Sequence, residues 1–377
     1  MRGPLKSPYP WFGGKAQIAP LVWRKFGEIE NYIEPFFGGG AVLLAAPWPS
    51  DRTETVNDIN AWLCNFWRAV KHDPDGVAEY ASDPVNEIDL HARGDALFYK
   101  GVQLDGKGRM MPDEFAERMR SDPEFYNVKI AGWWVWGQCA WIAGGWGREE
   151  KRAGIVRRGP HLSDGGQGVH RKQPLLGNHS VGVNRCLPHL STDGQGIHRC
   201  LPHLATYRGI MRKSDDVSSV SRKTVIRDYL RTLSARFERV RVCCGDWTRI
   251  TGPSVTVKLG ITGVFLDPPY ATKDRSVTYG DDDNFDLAYA VAEWAVEHGN
   301  DPRLRIALCG YEGEYKMPKS WECIGWVAQG GYGSQRRSGE NTNRFKERIW
   351  FSPHCVRVKQ GNLFNEGAEQ WRSAKDA

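Results

Sequence analysis

The chain has 377 residues, 40% of them hydrophobic, and a net charge of +6. That is enough apolar material for one large core or two ordinary ones, which excludes a disordered or fibrous chain. Nine scattered cysteines make no secreted disulfide framework, the N-terminal stretch MRGPLKSPYPWFGGK lacks a signal-peptide core, and no apolar run reaches membrane-spanning length. The expectation is therefore a cytoplasmic protein with reduced thiols and no membrane partner.

Ile18, Leu21, Val22 and Phe26 share one helical face and predict a helix over 14–27. In NYIEPFFGGGAVLLAAP, Tyr32-Ile33 read as a strand, three glycines as a turn, and Ala41–Ala46 as a helix bounded by Pro47. TETVNDINAWLCNFWRAV repeats the plan: a strand ending at Asn57-Asp58, then a helix with Ile59, Trp62, Leu63, Phe66 and Trp67 inward. This is the α/β rhythm of a parallel sheet. It breaks near residue 70. Segment 71–130 reads as helical and polar, and KIAGWWVWGQCAWIAGGWGREEKR is densely aromatic. A packed subdomain core accounts for Trp133, Trp134 and Trp136 at least as well as a binding surface does.

Between Lys151 and Lys213 stand eleven Lys/Arg against only Asp164 and Asp193, a local charge of +9. Such a block suits a polyanion, nucleic acid first, although a solvated loop has the same composition. Within it lies a 14-residue repeat beginning at Pro160, Pro174, Pro188 and Pro202, in which Arg171, Arg185 and Arg199 coincide. It is too short and Gly-rich for a helical solenoid, so loops or short hairpins are expected. Cys186-x-x-His189 and Cys200-x-x-His203 have zinc-ligand spacing. Duplication alone explains their recurrence, and the other units lack the Cys, so no metal is assigned.

The alternation then returns. Val225, Ile226, Tyr229, Leu230, Leu233 and Phe237 mark a helix, RVRVCC and GVFL mark strands, and a helix near 286–298 and a strand near 305–309 follow. The simplest organisation is one α/β domain in two parts, 1–70 and 216–354, with 71–215 inserted and 355–377 as a tail.

Two clusters carry chemistry. In Glu34-Pro35-Phe36-Phe37-Gly38-Gly39-Gly40 the glycines let a ligand approach the backbone, and an acid at the strand end suits a cationic or donor-rich ligand. No Lys-Ser/Thr follows, so this is not a phosphate loop, and Leu43 fills the third glycine position of a dinucleotide fingerprint. Asp58 stands where a ribose diol is commonly held, or it simply caps the next helix. In VFLDPPYATK, Asp267 closes an apolar strand, and Pro268-Pro269 stiffen the backbone and remove two N–H donors. A carboxylate beside fixed carbonyls suits an –NH₂ group with two hydrogens to give, and Tyr270 adds a flat face. Alone, Asp-Pro is also ordinary turn chemistry.

YPWFGGK (9–15), YIEPFFGGGAVLL (32–44), VNDINAWL (56–63) and VFLDPPYA (264–271), in that order, resemble the Dam-like (D12 class) DNA adenine-N6 methyltransferases. The resemblance is strong over 9–70 and 240–275, looser over 129–148 and 328–351, and absent over most of 75–125 and the repeats. It implies a Rossmann-like S-adenosylmethionine-dependent methyltransferase sheet with a large inserted DNA-recognition domain. It implies that S-adenosyl-L-methionine is held by Trp11, Lys15, Glu34, Phe36, Gly38, Gly40, Asp58, Asp246 and Asp267. It further implies that Asp267, Pro268 and Tyr270 form the catalytic base site. Double-stranded DNA would be met by Trp141, Arg148, Arg157, Arg158, Arg171, Arg185 and Arg199, by a chain whose default state is a monomer. Methylation of the cytosine N4 amine or of RNA uses similar geometry and remains an alternative. A non-catalytic DNA-binding protein is a further one. Cytosine-carbon methylation is disfavoured, since no Pro-Cys pair occurs.

Overall fold

The computed structural model describes residues 5–11, 13–48, 50–104, 108–141, 157–158, 161–162, 222–270, 283–326 and 346–357. Its strands in chain order are β1 (Asn31–Glu34), β2 (Thr53–Asp58), β3 (Val102–Leu104), β4 (Gly108–Met110), β5 (Arg157–Arg158), β6 (His161–Leu162), β7 (Val240–Cys244), β8 (Thr262–Leu266), β9 (Leu304–Tyr311), β10 (Glu322–Gly325) and β11 (Glu347–Phe351). The α-helices are α1 (Ala19–Phe26), α2 (Ala41–Leu44), α3 (Ala61–His72), α4 (Pro74–Ala81), α5 (Glu87–Asp95), α6 (Pro112–Ser121), α7 (Val128–Ala140), α8 (Arg222–Phe237) and α9 (Asp283–His298).

Seven strands make one sheet in the order β10-β11-β9-β8-β1-β2-β7. Strands β7, β2, β1, β8 and β9 run parallel, and β11 lies antiparallel between β9 and β10. Numbered along the chain, the parallel strands stand 3-2-1-4-5, the order of a doubly wound sheet. The winding reverses between β1 and β8, and ligands of such sheets bind outside the carboxyl ends at that point. The two strands that end at Glu34 and just before Asp267 are therefore neighbours across the switch.

Side chains of the sheet alternate between two apolar layers, as the pleat requires. Phe265, Ala307, Cys309, Ile349 and Phe351 face one layer; Val264, Leu266, Ile306, Leu308 and Trp350 face the other, where α9 packs. Burial on both faces explains why β8 reads as a continuous apolar run. The first layer extends without a break into α3, α4, α7 and α8, where Trp67 stacks on Phe237 at 4.5 Å. Helices α4 to α7 and the β3–β4 pair thus build on the same core as the sheet. Trp134 and Trp136 are buried in it, and Trp133 is half-buried under Arg93 and Lys129.

Polar side chains fix the helices. Asn60, Asp73 and Asn127 cap α3, α4 and α7 by accepting from the backbone N–H groups of Leu63, Gly76 and Ile130. Arg68 is 4% exposed; it donates to the carbonyls of Val242, Met119, Asp122 and Phe125 and ties the α6–α7 connection to β7.

Three expectations are corrected. The helix read over 14–27 is shorter, Ala19–Phe26, and follows a turn in which the Lys15 carbonyl accepts from Ile18 and Ala19. The helix read to Ala46 ends at Leu44. Ile59 does not face the core: it is 67% exposed, ahead of a helix that Asn60 starts at Ala61. The hairpin of β5 and β6 straddles the start of the first repeat. The rest of the repeats, with their Cys/His pairs, lies outside the described residues.

Candidate active site

The carboxyl ends of β1, β2, β7 and β8 open into a cavity of about 1030 Å³. Its wall takes Glu34 to Val42 from the first strand end, Asn57 to Trp62 from the second, Gly245 to Trp247 from the third and Asp267 to Tyr270 from the fourth. Leu5–Ser7, Trp11 and Gly13–Ala16 cover it from the N-terminus, and Ala116 and Arg120 reach it from α6.

Backbone hydrogen bonds set the glycine turn. Phe37 N–H donates to the Asn57 carbonyl, and Gly40 N–H returns to the Phe37 carbonyl. Gly38 and Gly40 have φ of 48° and 67°, which L side chains rarely adopt. A Cβ at Gly38 would stand 2.5 Å from the Trp11 indole nitrogen, and one at Gly40 would stand 2.6 Å from the Phe37 ring. Trp11 thus lies directly on the turn. The buried Tyr9 helps hold it there, donating its hydroxyl to the Gly38 carbonyl at 2.9 Å while accepting from the Trp67 indole.

Asp58 joins the turn to the second strand end. Its carboxylate accepts from Gly38 N–H and Asn60 N–H, both at 2.9 Å. Asn57 stitches further, its amide donating to the carbonyls of Pro35 and Gly245. Glu34 is 3% exposed and accepts from the Tyr32 hydroxyl at 2.8 Å. Burial pushes both acids upward: Glu34 rises well above the usual carboxylate range despite the Tyr32 hydroxyl, and Asp58 rises despite its N–H donors. Asp246 lines the cavity but is exposed, and its carboxylate caps the turn Trp247–Ile250 through Thr248.

Asp267 follows β8. Its Oδ2 pairs at 2.9 Å with Lys15, which is 4% exposed. Burial is the largest influence on Lys15 and by itself would lower its pKa, but the charge and hydrogen bond of Asp267 together with Glu347 and Cys309 outweigh it, and the net shift is upward. The Tyr270 hydroxyl lies 3.1 Å from Asp267 Oδ1 and 2.9 Å from Glu347 Oε2. Tyr270 is 6% exposed and meets Tyr311 edge-on at 4.7 Å. Its ring is therefore packed, not the open face expected from the sequence.

The structure brings Trp11, Lys15, Glu34, Phe36, Gly38, Gly40, Asp58, Asp246, Asp267, Pro268 and Tyr270 to one cavity. Trp141 stands apart, half-buried at the end of α7 with its ring edge-on to His91. Arg157 and Arg158 form β5, while Arg148, Arg171, Arg185 and Arg199 lie outside the described residues. Sequence reasoning missed Glu347, Arg120 and Trp247, whose ring stacks with Phe36 at 6.3 Å. The adjacency of Trp247 to Asp246 was a usable signal; the other two carried none.

A cavity over the switch point of a 3-2-1-4-5 sheet, with β11 reversed at its far side, defines a Rossmann-like methyltransferase fold. Residues 11–117 match the family model of the D12 class N6 adenine-specific DNA methyltransferase. It is 35% identical over 68 residues to the DNA N-6-adenine-methyltransferase of Escherichia phage P1, covering 18% of this chain and 9% of that protein. Type II methyltransferase M.MjaIII of Methanocaldococcus jannaschii is 38% identical over 109 residues, 27% of this chain and 38% of its own length. Type II methyltransferase M1.LlaDCHI of Lactococcus lactis subsp. cremoris is 32% identical over 78 residues, 20% and 26% of the two chains. The matched stretch thus spans well under half of each of these relatives.

Proposed function

We propose that the protein is a DNA adenine methyltransferase that uses S-adenosyl-L-methionine and acts on the N6 amine of an adenine flipped out of duplex DNA. The observation that carries this reading is a single cavity shared by the glycine turn, Asp58 and the Lys15–Asp267 corner. The residues present fit the methyl donor. Glu34 and Asp58 suit its ammonium and ribose hydroxyls, Phe36 and Trp247 offer ring surface beside Asp246, and the missing Cβ of Gly38 lets Trp11 lie against the turn as a cover. When bound, S-adenosyl-L-methionine supplies an electrophilic methyl group on a sulfonium.

The remaining work belongs to the chain. An exocyclic amine is a poor nucleophile because its lone pair is delocalised into the ring. In this reading Asp267 and the Pro268 carbonyl accept its two hydrogens and favour a pyramidal nitrogen aimed at the methyl group. Lys15 takes one lone pair of Asp267 Oδ2, and a carboxylate has about four acceptor sites, so room for the amine remains. The buried ammonium also holds the carboxylate in place before substrate arrives. Salt-sensitive phosphate contacts come from Arg157, Arg158, Arg171, Arg185 and Arg199 of the basic block 151–213, with Arg148 and Trp141 ahead of it in the chain. A monomer is the default state, because a single target strand needs one site, and the proposed setting is the cytoplasm. Among the described residues no helix is long and apolar enough to cross a membrane.

The test is transfer of labelled methyl from S-adenosyl-L-methionine to duplex DNA, followed by digestion to nucleosides. Label in N6-methyldeoxyadenosine is expected. Label confined to N4-methyldeoxycytidine, to RNA or to protein would replace the substrate, and DNA binding without transfer would leave a binding module.

A further inference from the structure

Glu347 is 4% exposed and opens β11, the strand that runs against the others. It stands 77 residues beyond Tyr270, yet its Oε2 receives the Tyr270 hydroxyl at 2.9 Å. The same hydroxyl lies 3.1 Å from Asp267 Oδ1. A phenol carries one proton, so two carboxylates compete for one donor. Where the proton goes decides what Asp267 can do. Donated to Asp267, it takes one lone pair of Oδ1 while Lys15 takes one of Oδ2, so both oxygens meet the amine as already engaged, weakened acceptors. Donated to Glu347, it leaves Oδ1 open.

We propose that Glu347 is a positioning residue for Asp267: it claims the Tyr270 hydroxyl and so keeps Asp267 Oδ1 available to the substrate amine. The surroundings suit that task. Glu347 is paired with Tyr311 in the β9–β11 ladder, and Tyr311 is the ring that packs edge-on against Tyr270, so one strand pair holds both the acceptor and the wall. The carbonyl of Glu347 accepts from Trp326 N–H, and Lys15 lies over the Trp326 ring at 5.7 Å. Burial first, then the Asp267 and Glu347 charges, hold the Tyr270 pKa well above that of a free phenol. Tyr270 therefore remains a donor across the working pH range.

This inference rests on the methyltransferase reading, so the test begins with the wild type. Single-turnover transfer is measured for wild type, Glu347→Gln, Tyr270→Phe and the double variant, together with donor binding and a thermal melt. Gln keeps the shape of Glu347 but is a weaker acceptor than the carboxylate. The expected result is a loss of about tenfold or more in the transfer rate of Glu347→Gln, with donor affinity unchanged. The same substitution in the Tyr270→Phe background is expected to add nothing, because the shared proton is already gone. A wild-type rate for Glu347→Gln overturns the inference, as does an equal loss in both backgrounds. A loss that merely follows donor affinity or the melting temperature overturns it too, since that is a structural role. An inactive wild type overturns the proposed function and takes the inference with it.

Discussion

Gly38 shows how closely the cavity is built. Its φ of 48° and the Trp11 indole 2.5 Å from a built Cβ leave no space for a side chain. Gly38→Ala is expected to cost about 1–2 kcal/mol in backbone strain alone and to move Trp11 off the turn. Donor affinity measured by calorimetry should fall at least tenfold. Glu34 and Asp58 make a second prediction. Both have raised pKa values, with burial the leading cause, so the free protein retains protons on them to higher pH than on ordinary carboxylates, Glu34 the more so. A cationic ligand favours the ionised forms. Binding therefore releases protons, and affinity rises as pH climbs through that range. Calorimetry at one pH in buffers of different ionisation enthalpy checks this; an enthalpy independent of buffer contradicts it.

Among the elements, β2 and α8 are held together by a buried pair. Arg236 donates to both oxygens of Glu54 at 2.6 and 2.9 Å and to the Leu43 carbonyl, and both side chains are almost fully buried. Arg236→Ala strands the Glu54 charge beside Arg52 alone and is expected to destabilise the fold by about 3–5 kcal/mol in denaturant titration. The catalytic chemistry should be intact in the fraction that stays folded. Much at this scale was legible in the sequence. The strand–turn–helix rhythm around Glu34, Asp58 and Asp267 gave strands that end where ligands bind, because short apolar runs and the glycine or proline turns that stop them are local signals. Helix α8 was legible for the same reason: its apolar spacing coincides with the buried residues Ile226, Tyr229, Leu230, Leu233 and Phe237. Ile59 was misread because its apolar side chain continues the helical spacing, while Asn60 sets the start of the helix through a hydrogen bond that spacing does not encode. Glu347 and Arg120 were invisible. Each reaches the site through strand order or helix docking, and neither leaves a trace in its own neighbours.

The whole molecule divides its work unevenly. Cavity, corner and sheet share one continuous layer of core with α3, α4, α7 and α8, and Arg68 locks α6 against β7 so that Ala116 and Arg120 meet the cavity. The positive charge is concentrated elsewhere, in 151–213. A chain lacking residues 160–209 should therefore bind the methyl donor as the full chain does. Its DNA affinity should fall and depend less steeply on salt, with a slope smaller by about 0.9 for each phosphate contact removed. An unchanged salt slope in filter binding would place the DNA contacts outside the repeats.

Removing Asp267 separates the proposed chemistry from the proposed pocket. Asp267→Ala takes away the carboxylate that Lys15 and Tyr270 surround and leaves Glu34, Asp58 and the glycine turn untouched. Transfer of labelled methyl to adenine in duplex DNA is measured beside equilibrium binding of S-adenosyl-L-methionine. The account predicts that wild type forms N6-methyldeoxyadenosine, and that the variant forms none while largely keeping its donor affinity. Wild-type transfer by the variant, or no adenine methylation by the intact chain, would contradict it.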